Sequence, residues 1–205
     1  MEENNKIITE LEEQLVQKAK EGDRKAFAEI VRRNEDIVYS FAFKVCRNKE
    51  YAAETYQDAF VNVYQKLNQF NGKSKFSTWL YSIVSNCCLM KRRKSKLEKD
   101  SISIDELNAR DNDHHDEHKI EKPEAPNWNA TPFEVAMRSE LKTALDEAIQ
   151  KLPVEYRLVF VLRDIEGKPA FETAKILKIS VPAVKSRLRR ARLFLKDELS
   201  EFMAS

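Results

Sequence analysis

Lys185, Arg189, Arg192 and Lys196 recur at steps of three and four near the end of the chain, with Ser186, Arg187 and Arg190 beside them. From Lys185 to Lys196 six residues are basic and none is acidic. Arg presents a planar fork that suits guanine edges or phosphates, and Lys acts as a point charge. That chemistry is polyanion recognition. Val181, Val184, Leu188, Ala191 and Leu195 form an apolar stripe on a different face of the same predicted helix. Ser180 suits the N-cap, and Pro182 falls in the first turn, where a missing N–H costs nothing. The alternative is a solvated basic helix end favoured by the macrodipole, but these cations begin in the first turns, where the dipole disfavours them. The stretch Leu152–Leu195 reads as helix, turn, short helix, turn and basic helix, the build of a major-groove reader.

Other reactive residue types give less. Cys46, Cys87 and Cys88 make neither a disulfide framework nor a zinc spacing, and adjacent cysteines on a helix do not share an undistorted disulfide. They point to a reduced, cytosolic compartment. His114, His115 and His118 stand among Asp111, Asp113, Asp116 and Glu117, but in a segment with no framework to fix a metal, so no metal site is expected. No phosphate-cradling Gly loop, nucleophile elbow or usefully spaced Cys/His pair occurs. The sequence therefore predicts no enzyme and calls for no cofactor.

The elements that must position these groups are helical. Three glycines in 205 residues, abundant Lys and Glu, and little alternating pattern indicate an all-α chain. Apolar spacing predicts helices over Thr9 to Lys20, through Ala26–Val31, through Val38–Val45, over Glu50–Phe70 and over Thr78–Lys94. Asp23 is placed to cap the second of these after the turn Glu21-Gly22-Asp23. Asn71-Gly72-Lys73-Ser74-Lys75 is a turn-rich loop between Phe70 and Phe76. From about Ser95 to Thr131 no stripe persists; from Ser95 to Glu140 twelve acids face six bases, and Pro123 and Pro126 interrupt. We expect a flexible acidic linker there. The organisation is thus two small helical domains, 1–95 and 132–205, joined by a linker over 96–131. The N-terminus MEENNKIITE is too polar for a signal peptide, and no apolar run is long enough to span a bilayer, so no membrane insertion is expected. The formal net charge is only +2, but five of the six residues from Lys91 to Lys96 are basic. Two basic surfaces flanking an acidic connector suit a polyanion held at two points.

The phrases LPVEYRLVFVLRDIEG and VPAVKSRLRRAR resemble the promoter-binding C-terminal domain of bacterial sigma-70-family sigma factors, in the two-domain extracytoplasmic-function (ECF) form. EGDRKAFAEIVRRNEDIVYSFAF, AAETYQDAFVNVYQKLNQF and KFSTWLYSIVSNCCLMKRRK are similar to the sigma domain that grips RNA polymerase and opens the promoter. The chain departs from the family's wording at Lys168–Lys175, where an acidic alternating segment is usual, at Asn34-Glu35-Asp36, and in its long acidic linker.

The resemblance implies a promoter-specificity subunit with core RNA polymerase and promoter DNA as partners, commonly held by an anti-sigma factor. It implies a polymerase-clamp contact through Gln57, Asp58, Phe60, Val61 and Tyr64, although Phe60 and Tyr64 also read as core. It implies that the loop bearing Asn71, Lys73, Ser74 and Lys75 receives a flipped base of the -10 element. Asn86 matches a base-reading position, Trp79 and Tyr81 the duplex fork, and Arg92 and Arg93 suit phosphate neutralisation; Trp79 reads equally as core. Lys185, Ser186, Arg189 and Arg190 match positions that read the -35 element, with Arg187, Arg192 and Lys175 on phosphates. A regulator that binds DNA alone, as a dimer, would explain the tail but leave the front half idle.

Overall fold

A computed structural model describes residues 2–94, 107 and 132–204, with side chains given for 11–91, 107 and 140–200. The described residues are helical and contain no strand. The front unit comprises α1 (Glu2–Lys20), α2 (Arg24–Cys46), α3 (Lys49–Lys66) with a single 3₁₀ turn at Leu67–Gln69, and α4 (Phe76–Lys94). The tail unit comprises α5 (Pro132–Lys151), α6 (Val154–Phe160) continued by a π-turn at Val161–Ile165, α7 (Ala170–Leu177) and α8 (Val181–Ala204).

One expectation fails locally. The segments through Ala26–Val31 and Val38–Val45 are a single 23-residue helix, α2. Asn34 bridges them: it is buried, and its Nδ2 donates to the Ile30 carbonyl at 2.8 Å. A polar side chain satisfied within its own turn need not end a helix, and no Gly or Pro intervenes. Asp23 caps α2 as expected, its Oδ1 accepting from the Lys25 and Ala26 amides at 2.8 and 3.1 Å. Ser180 caps α8, its Oγ accepting from the Ala183 amide at 3.2 Å. Pro169 precedes α7 and accepts from the Thr173 amide at 2.9 Å, so the altered segment at 168–175 still starts a helix. The turn from α7 to α8 places Lys178 in the left-handed region at φ 54°, a conformation that costs a non-glycine residue stability.

The front core is built on Ile30, Val38, Phe41, Val45, Val63, Leu80 and Val84. Val154, Leu158, Val161, Leu162 and Ile176 of the tail unit belong to the same buried cluster, so the two units share apolar packing. Polar contacts reinforce this seam. Arg157, buried, donates to the Val45 carbonyl across the seam at 2.8 Å and to Gln150 and Leu152 carbonyls within its own unit. Arg47 pairs with Asp146 at 2.7 Å and Lys44 with Glu166 at 2.7 Å. Thr78 Oγ1 donates to Glu172 at 2.8 Å. Leu107, from the stretch read as linker, is buried with Ile149, Leu152, Tyr156, Phe194 and Leu195 of the tail. His114, His115, His118 and the remainder of 96–131 lie outside the described residues.

Candidate nucleic-acid and polymerase interfaces

The tail presents its helix-turn-helix as α7 and α8. Val184, Leu188 and Ala191 are buried against Val159, Ala174 and the neighbouring helices, which turns Lys185 and Arg189 outward to solvent. Ser186, Arg187 and Arg190 are half-buried at the edges of that face. Arg187 lies over the Tyr156 ring at 6.0 Å, and Lys175 over the Phe171 ring at 6.0 Å. Arg192 is committed elsewhere. Its Nε and Nη2 donate to both carboxylate oxygens of Asp164 at 2.8 and 2.6 Å, so the phosphate role expected for it meets an intramolecular competitor. Bidentate pairing of this kind fits the guanidinium fork as well as a phosphate does.

In the front unit, α3 exposes Gln57, Asp58, Val61 and Tyr64 along one face, with Val61 55% and Tyr64 63% exposed. Large apolar groups left in water beside carboxylates are the pattern of a protein contact. Phe60 is not part of it. Only 8% exposed, it packs edge-on to Tyr56 at 5.0 Å and is a core residue, because its position turns toward α2 and α4. Tyr64 leans edge-on against Phe27 at 5.0 Å while remaining open to solvent. Glu54, exposed and bonded to Lys91, extends the face by one turn. The family resemblance assigns it no role, although its spacing from Asp58 places it on the same stripe.

The loop before α4 borders a cleft lined by Ser74, Lys75, Phe70 and Phe76 on one side and by Glu12 and Glu13 of α1 on the other. Gly72 takes φ 71°, and Asn71 Oδ1 accepts from the Lys73 amide at 3.1 Å, tightening the turn. Phe70, Phe76 and Trp79 form one aromatic group with centroids 5.3 to 5.6 Å apart. Trp79 is half-buried in this group, serving both core and rim. Burial lifts the Glu12 carboxyl above its ordinary range, against the opposing charge of Arg33. The share of α1 in this cleft had no local signal, because it arises from packing across sixty residues of chain.

Asn86 is exposed. Arg92 and Arg93 fall in the last turn of α4, with side chains outside the described part. Tyr81 departs from expectation. It is 7% exposed, its hydroxyl donates to Glu166 at 2.8 Å, and Lys168 stands over its ring at 4.8 Å. The tail unit therefore covers the position matched to the duplex fork. Burial first, and then donation to Glu166, holds the Tyr81 phenol well above its usual range.

Family comparisons agree with this geometry. Residues 30–98 match the family model described as Sigma-70 region 2, and residues 142–195 match Sigma-70, region 4. The chain is 28% identical over 193 residues to the ECF RNA polymerase sigma factor SigW of Bacillus subtilis, covering 91% of this chain and 95% of that protein. It is 30% identical over 174 residues to the ECF RNA polymerase sigma factor SigM of Mycobacterium tuberculosis, covering 83% and 76% respectively. Its fold is similar to that of CnrH in complex with the cytosolic domain of CnrY (TM-score 0.61, 24% identity, 91% of this chain and 96% of that one). It is also similar to the sigma factor RpoE in complex with the anti-sigma factor NepR from Bartonella quintana (TM-score 0.57, 20% identity, 86% and 98%). With two outward faces on two helical units, matched in order to the two sigma regions, the chain belongs to the extracytoplasmic-function group of the sigma-70 family of RNA polymerase sigma factors.

Proposed function

We propose that this chain directs core RNA polymerase to promoters by three separate surfaces. The face of Gln57, Asp58, Val61 and Tyr64, extended by Glu54, docks on the polymerase clamp. The α8 face led by Lys185 and Arg189 reads the -35 element, with Ser186 and Arg190 beside it and Arg187 and Lys175 on phosphates. The cleft between α1 and the 71–75 loop receives a flipped base of the -10 element. Lys73 and Lys75 hold the displaced strand, aromatic surface at Trp79 supports it, and Asn86, Arg92 and Arg93 continue the track.

The observation that carries this reading is the coexistence of a solvent-facing basic stripe on α8 and a mixed acidic-apolar stripe on α3 in one chain. A stand-alone DNA binder has no use for the second. Promoter opening also requires the tail unit to leave Tyr81, because α7 and Glu166 occupy the fork surface in the closed arrangement. The work takes place in the cytoplasm, with the chromosome and polymerase.

Control by an anti-sigma factor follows the same logic. Ile37, Val38, Phe41, Leu80 and Val84 line an apolar cleft between α2 and α4, bounded by Lys168 of the tail. A helix seated there would hold both units closed.

Run-off transcription with purified core polymerase and genomic promoter fragments tests the proposal. Discrete transcripts are expected only when this protein is added. Specific DNA binding without polymerase, and no transcripts with it, would favour the stand-alone regulator.

A further inference from the structure

None of the three surfaces above uses the cysteines, yet two of them meet. Cys46 is the last residue of α2 and is half-buried, while Cys88 of α4 is buried. Their sulfurs share a hydrogen bond at 3.8 Å. Oxidation would have to bring the two sulfurs from that separation to a disulfide length of about 2 Å. Thr55 of α3 stands 3.6 Å from the Cys46 sulfur, and Arg157 of α6 and Lys91 of α4 add positive charge nearby. Cys87 differs. It receives a long contact from Asn62 Nδ2 at 3.8 Å on the side facing α3, and burial and Asp58 push its thiol up to about 11.

We propose that Cys46 and Cys88 form a peroxide-oxidisable modification site, with Cys46 as the attacking thiolate and Cys88 as the resolving thiol. In the first step the Cys46 thiolate attacks one oxygen of hydrogen peroxide. The O–O bond breaks, hydroxide leaves and takes up a proton as water, and Cys46 becomes a sulfenic acid. In the second step the Cys88 sulfur attacks the Cys46 sulfur, the S–O bond breaks, and the departing oxygen leaves as water with the thiol proton. Two electrons pass from the sulfurs to the peroxide, and one S–S bond joins α2 to α4. With Cys46 ionised, Cys88 and Thr55 donate to it, and Arg157 and Lys91 favour the anion; these outweigh burial and bring the thiol down to about 7.

The location gives the modification a consequence. Cys46 stands between Val45, whose carbonyl accepts from Arg157, and Arg47, which pairs with Asp146. The crosslink would form at the grip of the tail unit on α2 and would remove a negative charge facing Arg157.

The test treats the reduced full chain with stoichiometric hydrogen peroxide, then alkylates, digests and maps it by mass spectrometry. A loss of two hydrogens and a Cys46–Cys88 linked peptide are expected. Cys87→Ser, which distinguishes the adjacent cysteines, should retain that peptide. Cys88→Ser should leave a sulfenic acid on Cys46 that dimedone traps, and Cys46→Ser should abolish both products. In the untreated wild-type chain at pH 7, iodoacetamide should label Cys46 at least about tenfold faster than Cys87; this does not depend on whether a variant folds. Absence of any crosslink, a link from Cys46 to Cys87, or equal labelling rates would overturn the proposal.

Discussion

Two residues apart on α3, Asp58 and Phe60 face opposite ways, one into solvent and one into the core. Phe60→Ala should lower stability by about 3–5 kcal/mol, as expected for an aromatic removed from a packed interior. Asp58→Ala should change the denaturation midpoint little but weaken association with core polymerase. Chemical denaturation and polymerase pull-down on both variants separate the two roles; a polymerase defect from Phe60→Ala without a stability loss would restore it to the interface. The basic residues divide in a similar way. Arg189→Ala should cost about 1–3 kcal/mol and relax preference at one base pair, whereas Lys175→Ala should weaken all sites alike. A promoter-variant binding series with holoenzyme checks this, and uniform loss from both would sink the division.

At the scale of elements, Asp164 links the π-turn after α6 to α8 through Arg192. Asp164→Ala should cost only about 0.2–1 kcal/mol, since the pair is partly exposed. It should also release Arg192 to phosphate, raising holoenzyme affinity at low salt and steepening the salt dependence by about one contact. A salt slope unchanged from wild type would leave Arg192 without a DNA role. Helix α4 and the start of α8 were legible within a few residues, because their signals are local: apolar stripes, Ser180 as cap and Pro182 in the first turn. The junction inside α2 was not, since Asn34 ends or continues a helix according to whether its amide reaches the Ile30 carbonyl. The exposed parts of the site, Asp58, Val61, Lys185 and Arg189, could be placed by helical spacing. Tyr81, Glu12 and Glu166 could not. Their surroundings come from chain segments tens of residues away, and local pattern carries no record of such packing.

The whole molecule is closed by a seam whose polar half converges on Glu166, which receives Lys44 on one oxygen and Tyr81 on the other. Glu166→Arg would replace both attractions with repulsion from Lys44 and Lys168. The radius of gyration from small-angle X-ray scattering should rise, and affinity for a forked -10 DNA in the absence of polymerase should increase. A radius and affinity equal to wild type would show that apolar packing alone keeps the seam shut. Leu107 sets a different limit on how far the units part. With this residue seated among Ile149, Leu152 and Phe194, only the thirteen residues from Ser95 to Leu107 connect α4 to the tail. A chain that long reaches at most about 45 Å, whereas all thirty-eight residues from Ser95 to Pro132 would reach about 130 Å. One buried leucine thus works as a knot in a measuring cord. Under the proposed function that shorter reach would bound the spacing between the two promoter elements, and Leu107→Asp, which unties it, is expected to widen the range of spacers that the holoenzyme transcribes in a run-off series.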